Sequence, residues 1–177
     1  MSNRQISQGT PVIETERLVL RGHRLDDFEN CIALWADPIV TRHIGGRPFS
    51  AEEVWARLLR YVGHWTLLGY GYWVIEEKAA GRFIGELGFA DFRREIEPPL
   101  DMPELGWILA PHAHGKGYAT EAVRAAMAWG EQHFGSQQTT CIIDPENLPS
   151  LRVAERCGYR EIRRVTYKNG PMIVFTR

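Results

Sequence analysis

The sequence is short of cysteine, carries almost no net charge and contains no long apolar run. Each shortage excludes something. Its three cysteines, Cys31, Cys141 and Cys157, cannot all pair internally, and no two stand in a C-x-x-C spacing. That excludes a disulfide scaffold or zinc ribbon and predicts reduced thiols in the cytoplasm. A formal net charge of −1 leaves no basic surface for nucleic acid. The longest basic pairs, Arg93-Arg94 and Arg163-Arg164, are too short to be tracts. No apolar stretch reaches the ~20 residues of a membrane span, so no membrane partner is expected. The first ten residues are polar and read as neither signal peptide nor anchor. His23, His43, His64, His112, His114 and His133 lack metal-ligand spacing, so no metal is expected. No repeat or low-complexity segment is present.

At 177 residues the chain is long enough for one domain. Residues 1–11 read as a flexible N-terminal arm and residues 12–177 as the domain. Arg17 to Arg21 alternates and predicts a first strand. Asp26 with Glu29 forms a capping-box pattern before Phe28, Ile32 and Trp35 at helical spacing; Asp37-Pro38 stops that helix. Ser50 with Glu53 repeats the signal ahead of a stripe at Val54, Leu58, Val62 and Trp65. Strands are expected at 72–75, 82–92, 104–109 and 139–143. A helix is expected from about Gly117 to Phe134 and a shorter one after Asp144-Pro145-Glu146-Asn147. A hairpin around Asn169-Gly170 closes the chain. Three strands linked by short turns precede the long helix. The middle of the sheet is therefore antiparallel, unlike a doubly wound dinucleotide fold.

The most telling segment is Gly115-Lys116-Gly117 between a strand and that long helix. A helix start carries amide N–H groups with no intrahelical partner, and its dipole favours anions. Glycines let a ligand approach the backbone. A phosphate-bearing ligand fits such a turn. The Walker frame is missing, and Thr120 stands where a dinucleotide fingerprint needs glycine. A tight strand-to-helix turn with no ligand is the competing reading.

The run Glu104-Leu105-Gly106-Trp107-Ile108-Leu109, followed by Gly115-Lys116-Gly117-Tyr118-Ala119-Thr120-Glu121-Ala122, resembles the acetyl-CoA motif of the GNAT N-acetyltransferases. Asn147 to Tyr159 resembles that family's next motif. Thr15-Glu16-Arg17-Leu18-Val19-Leu20-Arg21 is typical of the branch that acetylates N-termini of ribosomal proteins. The resemblance spans roughly residues 14–176. It implies an α/β (α+β) fold with a mixed, mostly antiparallel sheet flanked by helices. That sheet is splayed between the fourth and fifth strands, at 104–109 and 139–143, commonly with a bulge in the first of the two. It implies acetyl-CoA in the opening, with the backbone of Ile108, Leu109 and Ala110 on pantetheine. Amides from His114 through Gly115, Lys116, Gly117, Tyr118 and Ala119 would hold the pyrophosphate, helped by the Thr120 hydroxyl. Asn147 both caps its helix and meets a pantetheine amide. The chain departs from the family at His112, where Gln or Arg is usual. It departs again at Ala154, where many members carry a tyrosine general acid.

Acetyl transfer needs a free amine, a polarised thioester carbonyl and a stabilised leaving thiolate. Glu104, opening the cleft strand, is the first candidate base, and its alternative is a carboxylate held by a neighbouring Arg. Glu86 on the adjacent strand is the reserve. The Leu109 N–H is the carbonyl polariser that the resemblance implies. Ser150 replaces the missing tyrosine, or else caps the helix. Tyr159, Cys141 and Cys157 read as core. Trp55 and Trp65 lie on the early helices that wall the acceptor site in this family. The expected activity is direct transfer in a ternary complex to a primary amine, on a protein N-terminus or a small molecule. A homodimer is common in this branch. Two alternatives belong to other classes: a non-catalytic acyl-CoA-binding module, and a nucleotide-binding protein using the same turn.

Overall fold

The computed structural model describes residues 9–135, 137–168 and 170–177. Eight strands form one sheet: β1 (Ile13–Glu14), β2 (Leu18–Arg21), β3 (Tyr72–Glu77), β4 (Arg82–Ala90), β5 (Glu104–Leu109), β6 (Thr140–Ile143), β7 (Arg160–Tyr167) and β8 (Gly170–Thr176). The order across the sheet is β1-β2-β3-β4-β5-β6-β8-β7. Every neighbouring pair is antiparallel except β5 with β6. The expected mixed α/β architecture is present. The splay expected between the fourth and fifth strands falls between β5 and β6, because the short β1 precedes the strands read from the sequence.

Helices α1 (Phe28–Ala36), α2 (Pro38–Thr41) and α3 (Ala51–Leu68) follow β2; α4 (Tyr118–Phe134) and α5 (Leu148–Arg156) follow β5 and β6. Helices α1 and α3 cover one face of the sheet. They pack Cys31, Leu34, Trp35, Val54 and Leu58 around Ile108. Helix α4 covers the other face with Ala122, Val123, Ala126 and Met127 against Trp73, Leu87, Phe89 and Leu105. Trp65, Trp73 and Trp129 meet edge to face there, with ring centres 4.8–5.5 Å apart.

Several expectations are corrected. The capping pair expected at Asp26–Glu29 is not formed; the Asp27 carboxylate instead accepts from the Arg24 N–H at 2.7 Å. Ser50 and Glu53 do cap α3 reciprocally. The α3 stripe runs through Val54, Leu58, Tyr61 and Trp65, while Val62 is exposed. Seven residues return a helix to within about 20° of its start, whereas eight overshoot by about 80°. Strands β4 and β5 pair in unbroken register, so β5 has no bulge against β4; register shifts lie instead between β3 and β4, at Ile75/Glu76, and between β7 and β8, at Glu161/Arg163. Of the expected arm, residues 1–8 lie outside the described residues, and the Pro11 carbonyl accepts from Trp73 Nε1 at 2.8 Å. Asn169 of the expected closing turn also lies outside them. Among the described residues no helix is long and apolar enough to cross a membrane.

Candidate active site

The site begins where the sheet comes apart. Strands β5 and β6 share a single bridge, Glu104 with Thr140, and the Thr140 N–H donates to the Pro103 carbonyl at 3.0 Å. Past that point they do not pair. Antiparallel alternation decides which backbone groups face the gap. The Ala110 N–H donates to the Ile84 carbonyl at 2.9 Å, which makes Gly85–Leu109 a non-hydrogen-bonded pair. Trp107 and Leu109 therefore turn their N–H and C=O groups away from β4, towards the gap. Ile108, paired with Glu86, directs its own to β4.

Of the three backbone contacts expected for pantetheine, the structure leaves one open. Leu109 offers its N–H, and its carbonyl accepts from His114 Nε2 at 2.8 Å. Ile108 is engaged with β4. Ala110 is engaged at both ends, since its carbonyl accepts from Ala113 at 2.9 Å. Trp107 is the neighbour that sequence reasoning missed. The period-two alternation with Leu109 is the signal that would have found it.

The glycine turn continues this surface. Gly115 and Gly117 have φ of +74° and +80°, the left-handed region that glycine enters without strain. Gly117 precedes the first turn of α4, and no side chain caps that turn. The amides of Tyr118, Ala119 and Thr120 are therefore open to an anion. Lys116 and His114 are exposed beside them.

A clamp fixes the turn from behind. Glu121 Oε1 accepts from Thr15 Oγ1 at 2.6 Å and from the Arg17 N–H at 2.9 Å, and Oε2 pairs with the Arg17 guanidinium. Arg17 Nη1 also donates to the Lys116 carbonyl at 2.9 Å, and the guanidinium stacks on Tyr118. The opening Thr15-x-Arg17 of the sequence thus positions the turn, a role that no local reading supplies.

The two candidate carboxylates sit differently. Glu104 is buried at the closed end of the gap, with both oxygens gripped by Arg94 at 2.6 and 2.7 Å. This is the held carboxylate that its alternative reading describes. Five residues of strand separate it from Leu109, about 16 Å at ~3.3 Å per residue. Glu86 stands directly across from Ile108 on the face under α1 and α3. Its Oε1 meets His23 Nε2 at 2.7 Å and the Cys31 thiol at 3.3 Å; Oε2 accepts from Trp35 Nε1 at 2.7 Å. Burial pushes Glu86 up, but hydrogen bonds from His23, Trp35 and Cys31 outweigh it and hold the carboxyl below its usual range. It is therefore charged at neutral pH. His23, Cys31 and Glu86 are also the one metal-capable grouping among the described residues, with ligand atoms within 4.8 Å of one another. The short His23–Glu86 bond gives that grouping its plainest use, a carboxylate orienting an imidazole.

Comparison with known proteins decides the family. The family model for the acetyltransferase (GNAT) domain matches residues 17–160. The chain belongs to the GNAT acetyltransferase family. It is 37% identical over 113 residues to YkkB of Bacillus subtilis, a match covering 62% of this chain and 63% of YkkB. An acetyltransferase structure from Agrobacterium tumefaciens is 26% identical, with a TM-score of 0.83 and 99% of both chains covered. The spermidine N-acetyltransferase of Vibrio cholerae, in complex with CoA and spermine, shares the fold at 17% identity, with a TM-score of 0.72 and 92% of this chain and 96% of that one covered.

The remaining predicted residues of this GNAT chain separate cleanly. Asn147 caps α5, its Oδ1 accepting from the Ser150 N–H at 3.2 Å. The capping role therefore falls to Asn147, and the Ser150 hydroxyl takes no partner among the described residues. Tyr159 is core, with its hydroxyl 2.7 Å from Thr139 Oγ1. Cys141 and Cys157 are buried and unpaired. Trp65 lies in the core, while Trp55 lies at the surface against Phe28. Thr120 is half-buried on the first turn of α4.

Proposed function

We propose that this chain carries an acetyl group from acetyl-CoA to a primary amine by direct attack in a ternary complex. One observation carries the reading. The gap beside Trp107 and Leu109 runs into the uncapped amides of the Gly115–Gly117 turn, so one extended ligand with a pyrophosphate end satisfies both. In this reading the amides from Gly115 to Ala119, with the Thr120 hydroxyl, receive the pyrophosphate; the expected His114 amide is not available, because it donates to the Pro111 carbonyl at 3.1 Å. The Leu109 N–H polarises the thioester carbonyl. Asn147 and Ser150 face the coenzyme from α5, and Ser150 donates to the departing thiolate. Its free hydroxyl supports that assignment.

Deprotonation of the ammonium is assigned to the Glu86–His23 pair, acting through a water because both side chains are only 1% exposed. It lies against Ile108, whereas Glu104 is clamped at the far end of the strand. Glu104 remains the comparator in the tests below. A ping-pong route is disfavoured because burial pushes the thiols of Cys31, Cys141 and Cys157 up, which leaves little thiolate to attack. Those three free thiols also support a cytoplasmic setting.

The test pairs two measurements on the whole chain. Calorimetric titration should show coenzyme A binding. Thiol release from acetyl-CoA should then depend on an added amine drawn from peptides, amino acids, polyamines and aminoglycosides. Binding without release across that panel would convert the reading to a non-catalytic acyl-CoA module. No binding would remove it.

A further inference from the structure

On the acceptor side of β5 the structure gathers cations that have no carboxylate of their own. Arg57 and Arg60 stand one turn apart on α3. Arg57 lies flat over Trp35, its guanidinium carbon 3.8 Å from the ring centre and 4.9 Å from that of Phe49. Its Nη1 donates to the Tyr61 hydroxyl at 3.2 Å, and its Nε is buried without a partner. Arg60 lies 5.1 Å from the Phe92 ring. Among the described residues neither arginine forms a salt bridge. The nearby carboxylates are already engaged: Glu86 with His23, Trp35 and Cys31, and Glu104 with Arg94. Arg94 itself shares the Phe92 ring with Arg60. Burial, Arg57 and Arg94 together push the Arg60 guanidinium down. Three like charges held this close, with two carboxylates nearby that are both already engaged, leave a surplus of positive charge.

The cluster is tied to the reacting strand. Tyr61 stacks on Tyr72 with ring centres 4.2 Å apart, and Gly106 of β5 leaves the room that the Tyr72 hydroxyl occupies. Trp35, beneath Arg57, donates to Glu86 beside Ile108. The His23 ring lies 5.4 Å from that of Tyr61, whose hydroxyl meets Arg57, so an acceptor with its amine held on the His23 side would have its far end towards Arg57 and Arg60.

We propose that Arg57 and Arg60 form an anion subsite, and that the preferred acceptor is an amine that also bears a carboxylate. This inference rests on the acetyltransferase reading. A planar guanidinium with free N–H groups pairs well with a carboxylate, and stacking on aromatic rings holds it ready. The same surplus repels polyamines and aminoglycosides.

The test compares acceptors that share one amine and differ in one charge. Thiol release is measured for an amino acid and for its amide, with rates expressed per free amine. A spermidine control is run alongside. A charge-assisted pair predicts that kcat/KM for the carboxylate exceeds that for the amide by about tenfold or more. R57Q and R60Q should each shrink that ratio at least about threefold, the double variant should bring it near one, and Arg57→Lys should restore part of it. Arg60 as a whole residue is exposed although its guanidinium is partly covered, so R60Q keeps the test open if R57Q fails to fold. Equal rates for carboxylate and amide, or a spermidine rate above both, would overturn the anion subsite while leaving the acetyltransferase intact. A ratio that survives both glutamines would also overturn it. Release with no acceptor at all would sink the acetyltransferase reading itself.

Discussion

The two sides of β5 are built from different materials. The side proposed for the coenzyme is backbone: the N–H groups turned out at Trp107 and Leu109, then the amides after Gly117, all within one short stretch of chain. The side proposed for the acceptor is side chain: His23, Trp35, Arg57, Tyr61, Tyr72 and Glu86, drawn from the chain after β2 and from α1, α3, β3 and β4. A backbone site depends on chain geometry and tolerates most changes of side chain. A side-chain site depends on each group and on the elements that carry it. The coenzyme side should therefore respond to glycine substitutions and the acceptor side to charge and hydrogen-bond substitutions, with little crossover.

The largest separation is expected at Glu86. Glu86→Gln keeps the shape and removes the charge that orients His23. Loss of a positioned base typically costs about 100-fold or more in rate. We expect kcat/KM to fall by about that factor, with coenzyme A affinity unchanged within about twofold. H23N should fall alongside it, and both should lose the alkaline rise in the pH profile. E104Q tests the competing assignment. If E104Q flattens the profile while H23N leaves it intact, the base is Glu104 and the comparison of the two sides must be redrawn.

On the coenzyme side the matching substitution is Gly117→Ala. Space is not the obstacle, since the nearest atom to a Cβ there is Arg17 Nη2 at 3.5 Å. The obstacle is φ of +80°, where a side chain costs roughly 1–2 kcal/mol. If the turn relaxes to avoid that strain, the amides lose their aim. Coenzyme A should bind about tenfold more weakly, while the KM for the amine stays near its wild-type value. A fall in amine affinity of equal size would erase the distinction between the two sides.

The same division explains what the sequence made legible. The strand-to-helix turn proposed for the donor could be read because its signals are local: Gly115 and Gly117 straddle Lys116, and α4 follows at once. The strand order could be read because alternation and turns are local as well. The acceptor side could not. Nothing near Arg57 in the sequence says that Trp35 lies beneath it, and nothing near Glu86 announces His23. Those pairings arise only when α1 and α3 fold onto β4. The Thr15–Arg17–Glu121 clamp was hidden for the same reason, although its residues stand in recognisable motifs at both ends. The alternation that frees Leu109 and engages Ile108 was available in principle. It needed the register of β4 against β5, which pattern alone does not fix.

Ser150, proposed to serve the departing thiolate, should have a smaller effect. A thiolate with an ordinary pKa near 8.5 leaves without much help. Ser150→Ala should lower kcat about fivefold and leave the melting temperature unchanged, because Asn147 holds the cap. Asn147→Ala should do the converse and cost about 1 kcal/mol of stability. If Ser150→Ala lowers the melting temperature instead, the hydroxyl is structural.

The smallest expected effect concerns the clamp behind the turn. Burial pushes Glu121 up, but hydrogen bonds from Thr15 and Arg17, with the Arg17 charge, outweigh it and hold the carboxyl below its usual range. A carboxyl lowered on folding adds stability above its unfolded pKa of about 4.3 and loses it as pH falls through the folded value. Glu121→Gln should therefore cost roughly 0.5–1 kcal/mol at pH 7 for this partly exposed pair, about 1–4 °C in melting temperature. The gap between variant and wild type should close as the pH drops below about 4. Acid titration of both proteins by circular dichroism checks this. A gap that persists at low pH would mean that the carboxylate charge is not what fixes the turn, and that the hydrogen bonds from the Thr15 hydroxyl and the Arg17 N–H to Glu121 fix it without that charge.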